Sequence, residues 1–124
     1  MVFGRCRAEL VEEVTLRYAD PPDELGGVLW QIRSPGSTIS HFEVGGLPPG
    51  FKETVPITAR LPSQYLALDV QTDDDRWPIT TVGFRLDQLG TTRWLSSTSD
   101  NETSPSQVAE MSRRGCIPAR GAYA

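Results

Sequence analysis

One histidine, two cysteines and sixteen carboxylates are all that this 124-residue chain offers, besides its hydroxyls, for acid–base, nucleophilic or metal chemistry. A hydrolytic triad needs a histidine held by a carboxylate and set against a serine or cysteine. His41 lies in an alternating run on the face opposite Phe42, so it reads as a surface residue. Glu43 shares its face, but the spacing sets no nucleophile against the ring. Cys6, Cys116 and His41 are too scattered to form a zinc site. The chain therefore reads as non-enzymatic, with no catalytic residue, no cofactor and no metal set. The less favoured enzyme reading is a carboxylate pair of the glycosidase kind. That needs a defined separation across a cleft, for which loops this short leave little room.

The carboxylates are not evenly spread. In an antiparallel sandwich successive connections alternate between the two ends, so the first, third and fifth share an end. These are Asp20-Pro21-Pro22-Asp23-Glu24, Gly45 to Gly50, and Asp73-Asp74-Asp75-Arg76-Trp77. The candidate binding end is thus Asp20, Asp23, Glu24, Leu47, Asp73, Asp74, Asp75 and Trp77, with Arg33, Arg60 and Arg85 at the other end. Leu47 and Trp77 would be apolar anchors and the acids a steering rim. Ordinary turn chemistry accounts for the same aspartates. Calcium would need about six to eight oxygens, and no spaced calcium motif is present. Trp77 is either a loop cap on the core or an exposed anchor.

Cys6 and Cys116 sit near opposite ends of the chain. Termini of compact domains often lie close together, so a bridge between them is geometrically open. It would close a long loop and stabilise by about 4–5 kcal/mol on the chain-entropy model. Two free thiols in a reducing cytoplasm are the alternative.

Seven runs of alternating apolar and polar residues must position these groups: Ala8–Tyr18, Val28–Arg33, Thr38–Val44, Phe51–Thr58, Tyr65–Gln71, Ile79–Leu86 and Thr91–Leu95. A period of two means strands with one buried face. Seven at regular spacing predict an all-β fold, an antiparallel two-sheet β-sandwich of about seven strands over residues 1–95. The inward parities include Trp30 and Ile32, Leu66, Leu68 and Val70, Val82 and Phe84, and Trp94. Glu12 breaks the parity of the first run and predicts a bulge or an edge. Ser34-Pro35-Gly36-Ser37 predicts a turn, and Pro49-Gly50 suits a type II turn. Pro56 predicts an edge strand. Residues 96–103 read as a polar linker. Ser104-Pro105-Ser106-Gln107 has the form of a capping box and opens a helix to Arg114, stopped by Gly115. Its stripe, Val108 and Met111, is thin, so residues 104–124 should form a short helix and tail docked on the sandwich.

Trp30 in the second strand, and Leu61-Pro62-Ser63-Gln64-Tyr65-Leu66-Ala67-Leu68-Asp69-Val70 leading into the fifth, resemble immunoglobulin-like and fibronectin type III sandwiches. The resemblance is architectural and covers about the first 95 residues. It implies a binding or spacer role and carries over no site residue.

A net charge of −4 argues against nucleic acid, whose phosphates demand a basic face. Eleven of the twelve basic residues are arginine, which reads as the codon bias of a high-GC bacterium. No stretch approaches the roughly 20 apolar residues of a membrane span. The expected function is a non-enzymatic binding or spacer module of a bacterial envelope or secreted protein, with another protein as partner. A cytoplasmic accessory or regulatory subunit with free thiols is the alternative.

Overall fold

The computed structural model describes residues 1–6, 9–19, 27–57, 65–88, 94–96 and 104–116. Its elements are β1 (Val2–Gly4), β2 (Val11–Tyr18), β3 (Val28–Ser37), β4 (His41–Glu43), β5 (Lys52–Val55), β6 (Tyr65–Thr72), β7 (Ile79–Arg85), a single 3-10 turn at Leu86–Gln88, β8 (Trp94–Leu95) and α1 (Pro105–Arg113). The strands form a five-stranded sheet ordered β5-β3-β2-β6-β7 and a three-stranded sheet ordered β4-β1-β8. Every pairing is antiparallel except β1 with β8, which is parallel. This is an all-β, two-sheet sandwich with one short C-terminal helix.

The core between the sheets follows from strand alternation. β2 contributes Val14 and Leu16, β3 Trp30 and Ile32, β6 Leu66, Leu68 and Val70, and β7 Val82 and Phe84. The smaller sheet meets them with Phe3, Phe42 and Leu95. Phe3 and Phe42 touch with ring centroids 5.3 Å apart. Trp30 is fully buried, and its indole N–H has no hydrogen-bond partner among the described residues. The outer face of the larger sheet is polar and internally paired. Arg33 bridges Glu13 at 2.8 Å, and Arg17, itself buried, bridges Asp69 at 2.7 Å. Gln31 donates to Glu13 at 3.1 Å and Thr15 at 3.0 Å, and Thr81 donates to Asp69 at 2.6 Å.

A strand unannounced by the pattern, β1, lies at the centre of the smaller sheet. Three residues are too few to show alternation. The expected inward tryptophan of the last strand is also corrected. Leu95 faces the sandwich core, while Trp94 is buried on the sheet's other face with Val2, Met111, Val108, Cys6 and Cys116. That face is covered by α1. The helix begins as expected: Ser104 Oγ accepts from Gln107 N at 3.3 Å, and Gln107 Oε1 accepts from Ser104 N at 3.1 Å. It ends at Gly115, with φ +76°. The Cys6–Cys116 disulfide is formed and ties the end of α1 to the end of β1.

The Ser34–Ser37 turn is a second correction, because β3 continues through it. Val11 pairs with Ser37 while Glu13 pairs with Arg33, so a bulge at Glu12 absorbs Ser34-Pro35-Gly36. Ser34 Oγ donates to the Val11 carbonyl at 2.7 Å and replaces the missing ladder bond. Pro35 has no N–H to leave unpaired there. Gly36 holds φ +132°, and a Cβ on it would come within 3.2 Å of Leu10 Cδ1. Elsewhere Phe51 N donates to the Pro48 carbonyl at 3.2 Å with Gly50 at φ +84°, the form expected of a type II turn. β5, which stops before Pro56, is an edge strand as expected. Ala8 and residues 97–103 and 117–124 of the expected run, linker and tail lie outside the described residues.

The apolar contact of α1 is small, so the disulfide should dominate its attachment. Reducing the bridge, or replacing both cysteines with serine, should lower stability by about 4–5 kcal/mol through the unfolded chain. Urea titration followed by circular dichroism measures this. Trp94 emission should shift red upon reduction before the sandwich unfolds. A midpoint and emission unchanged by reductant would show that the helix is held by packing alone.

Candidate functional site

The strand registers place the acidic loops. Tyr18 opposite Leu66, Leu66 opposite Phe84 and Arg17 opposite Val28 define one end of the larger sheet. Val11 opposite Thr72 and Ser37, and Gln71 opposite Ile79, define the other. Asp73 follows Thr72 and belongs to the second end. Asp20, Asp23 and Glu24, half of the six carboxylates expected at one end, lie outside the described residues. The expected basic end is corrected. Arg33 pairs with Lys52 toward the Asp73 end, Arg85 stands at the first end, and Arg60 lies outside the described residues.

The reason is β4. It leaves the larger sheet to pair with β1, and the chain returns to start β5 with Lys52 opposite Arg33. β4 thus takes no place in the larger sheet, and β5 and β7 start at the same end of it. Leu47, on the β4–β5 connection, is separated from the β6–β7 hairpin by three strand spacings across the sheet, roughly 14 Å. It is exposed and lines an apolar cleft of about 370 Å3 with Ile39, His41, Phe42, Glu43 and Pro48. His41 Nδ1 lies 3.1 Å from Ser40 Oγ. That hydroxyl belongs to the adjacent residue.

The hairpin between β6 and β7 is the better-built surface. Asp73 and Leu10 bond each other twice: Asp73 Oδ1 accepts from Leu10 N at 2.8 Å, and Asp73 N donates to the Leu10 carbonyl at 3.1 Å. Asp74 Oδ1 accepts from the backbone N–H of Arg76 at 2.8 Å and of Trp77 at 3.1 Å. Its own N–H donates to Thr72 Oγ1 at 3.3 Å, and Thr72 N donates to the Pro78 carbonyl at 2.7 Å. Two of the three aspartates are thus occupied in shaping the loop, as short polar side chains do in turns. Asp75 makes no hydrogen bond or ion pair among the described residues and is exposed. No group of three His, Cys, Asp or Glu among the described residues is placed to hold a metal ion.

The fixed loop presents Trp77, which is 70% exposed, so it is not a cap on the core. Ile79, 56% exposed, begins β7 on the parity opposite to the buried Val82 and Phe84. Its parity already marks it as outward, but a lone apolar residue on a wet face draws no notice until Trp77 proves to be exposed. At the far end of β7, Arg85 bonds Asp87 at 3.1 Å, and this hydrogen bond holds the Asp87 carboxyl below the usual carboxylate range.

No family model matches the chain, and neither a curated protein nor a solved structure matches it. No helix among the described residues is long and apolar enough to cross a membrane.

The three aspartates should separate on mutation. Asp73→Ala and Asp74→Ala should each cost about 1 kcal/mol, because each leaves loop N–H groups without an acceptor. Asp75→Ala should stay within about 0.5 kcal/mol of the parent. Equal effects in urea unfolding would mean that the loop is not held by these bonds.

Proposed function

We propose that this is a non-enzymatic binding module that works outside the cytoplasm, in the envelope or beyond it. The β6–β7 hairpin is its recognition element. The observation that carries this is an exposed indole on a loop whose backbone is fixed from both sides. Large aromatics in water are poor for solubility and good for binding: they bury much area at little entropic cost. Asp73 and Asp74 settle the loop in advance, which cuts the ordering cost of association. Asp75 supplies a charge at the rim of the same tip.

The compartment reading is supported by the Cys6–Cys116 bridge, since structural disulfides persist where the environment is oxidising. The immunoglobulin-like resemblance of the sandwich adds a class tendency toward binding or spacing.

Trp77→Ala separates recognition from folding. Its stability should stay within about 0.5 kcal/mol of the parent, because the side chain is in solvent. Immobilised parent and variant should then be compared for capture from the extracytoplasmic fraction of the source cells. Proteins held by the parent and lost by the equally stable variant are the expected result. A variant that loses stability but captures equally would remove the hairpin from the function.

A further inference from the structure

We propose that two copies of this chain meet end to end about a two-fold axis, with Trp77 of each copy entering the other's cleft beside Leu47. This rests on the reading of the hairpin as a recognition element and names a partner for it.

Trp77 and Leu47 are the most exposed large apolar side chains among the described residues, at 70% and 58%. One is a knob and the other borders a hole. Trp77 stands on a loop fixed by Asp73 and Asp74. Leu47 lines the cleft of about 370 Å3, whose other apolar walls are Ile39, Phe42, Pro48 and Pro49. That volume is at the low end of pockets that take small ligands, which suits a single side chain. An indole seated between proline and aliphatic walls loses water from both of its faces. The knob cannot fill the hole of its own chain, because roughly 14 Å of sheet separates them. A second copy supplies to each what its own chain cannot.

The strand registers put knob and hole at one end of the molecule. Ile79, Gln71, Glu13, Arg33 and Lys52 form a single row across the larger sheet. Trp77 precedes Ile79 at one edge of that row, and residues 47–50 precede Lys52 at the other. A two-fold axis normal to the larger sheet at this end sets each hairpin over the other copy's β4–β5 connection. The contact is then made twice and closes on itself. The charges at the two edges fit this arrangement. The hairpin carries Asp75 and Arg76, and the start of β5 carries Lys52 and Glu53, all four exposed. Asp75 of one copy meets Lys52 of the other, and Arg76 meets Glu53, so opposite charges rim both contacts. An axis in the plane of the sheet and across the strands would instead set hairpin against hairpin, with Asp73, Asp74 and Asp75 facing their own equivalents.

Sedimentation velocity of the oxidised full chain, from low-micromolar to sub-millimolar concentration, should show a reversible monomer–dimer equilibrium. Trp77→Ala should weaken it by roughly a hundredfold. Lys52→Glu and Asp75→Lys each set like charges together at two places, and each should weaken it by roughly tenfold. The variant carrying both changes should recover the parent's affinity. That recovery is particular to this pairing, because the two residues stand at opposite edges of one chain. Should a variant fail to fold, the fluorescence of the parent decides instead. Trp77 leaves water on dimerisation, so raising the concentration should shift the emission to shorter wavelength. A chain monomeric throughout, a dimer indifferent to Trp77→Ala, a double variant as weak as the single ones, or an emission unchanged across dimerisation would overturn the proposal. A monomeric chain that still captures a protein through Trp77 would overturn it too, but leave the hairpin reading standing.

Discussion

β1 is packed on both of its faces, and the rest of the molecule is arranged around that fact. Phe3 faces the larger sheet and joins Phe42 and Leu95 in the main core. Val2 faces the other way, with Trp94, against Met111 of the helix. Each neighbour of β1 comes from far along the chain: β4 on one side, β8 on the other. A three-residue strand thus recruits β4 out of the larger sheet, holds β8 parallel to itself, and gives α1 a surface to dock on. The disulfide closes the same unit from its edge. The small size of α1's stripe makes sense beside this, because the crosslink carries much of the task of keeping the helix in place.

The recruitment of β4 has a consequence for the surface. With β4 in the smaller sheet, β3 pairs directly with β5, and the β6–β7 hairpin stands at the opposite edge of the larger sheet. Among the described residues no other acidic loop stands beside it. The aspartates of the hairpin then have local tasks. Asp73 ties the loop to Leu10, and Asp74 caps the backbone ahead of Trp77. Rigidity in the loop and exposure of the indole are two sides of one arrangement: the backbone bonds are satisfied internally, and the side chain is left for something else.

Much of this was legible in the chain. All seven alternating runs contain strands, and the inward residues of β6 and β7 are those their parity names. Glu12 marks a bulge, Pro56 an edge, and Ser104 to Gln107 a capped helix. The failures share a cause, which is that alternation reports burial on one side of a strand. β1 is too short to alternate. Trp94 and Leu95 are both buried, on opposite faces, so parity could not say which of them meets the sandwich core. Pro35-Gly36 has the composition of a turn, and only the pairing partner Val11 shows it to be a bulge within one strand. The placement of Arg33 and Arg85 at one end failed because it assumed that consecutive strands stay in one alternating series. No local signal says that β4 changes sheets. The candidate site divided in the same way: Trp77 and its loop were legible from composition, but the tasks of Asp73 and Asp74 depend on Leu10 and on backbone geometry.

The most direct test of the two-sided strand is the unfolding free energy of Phe3→Ala, measured in urea on the oxidised protein beside the parent. A phenylalanine 1% exposed at the centre of the core should cost about 3–5 kcal/mol when truncated. That loss should appear as a single cooperative shift, because β4, β8 and the helix all depend on the strand that carries it. A loss under about 1 kcal/mol, with the sandwich transition unmoved, would show that β1 is peripheral to the fold and contradict the arrangement built on it.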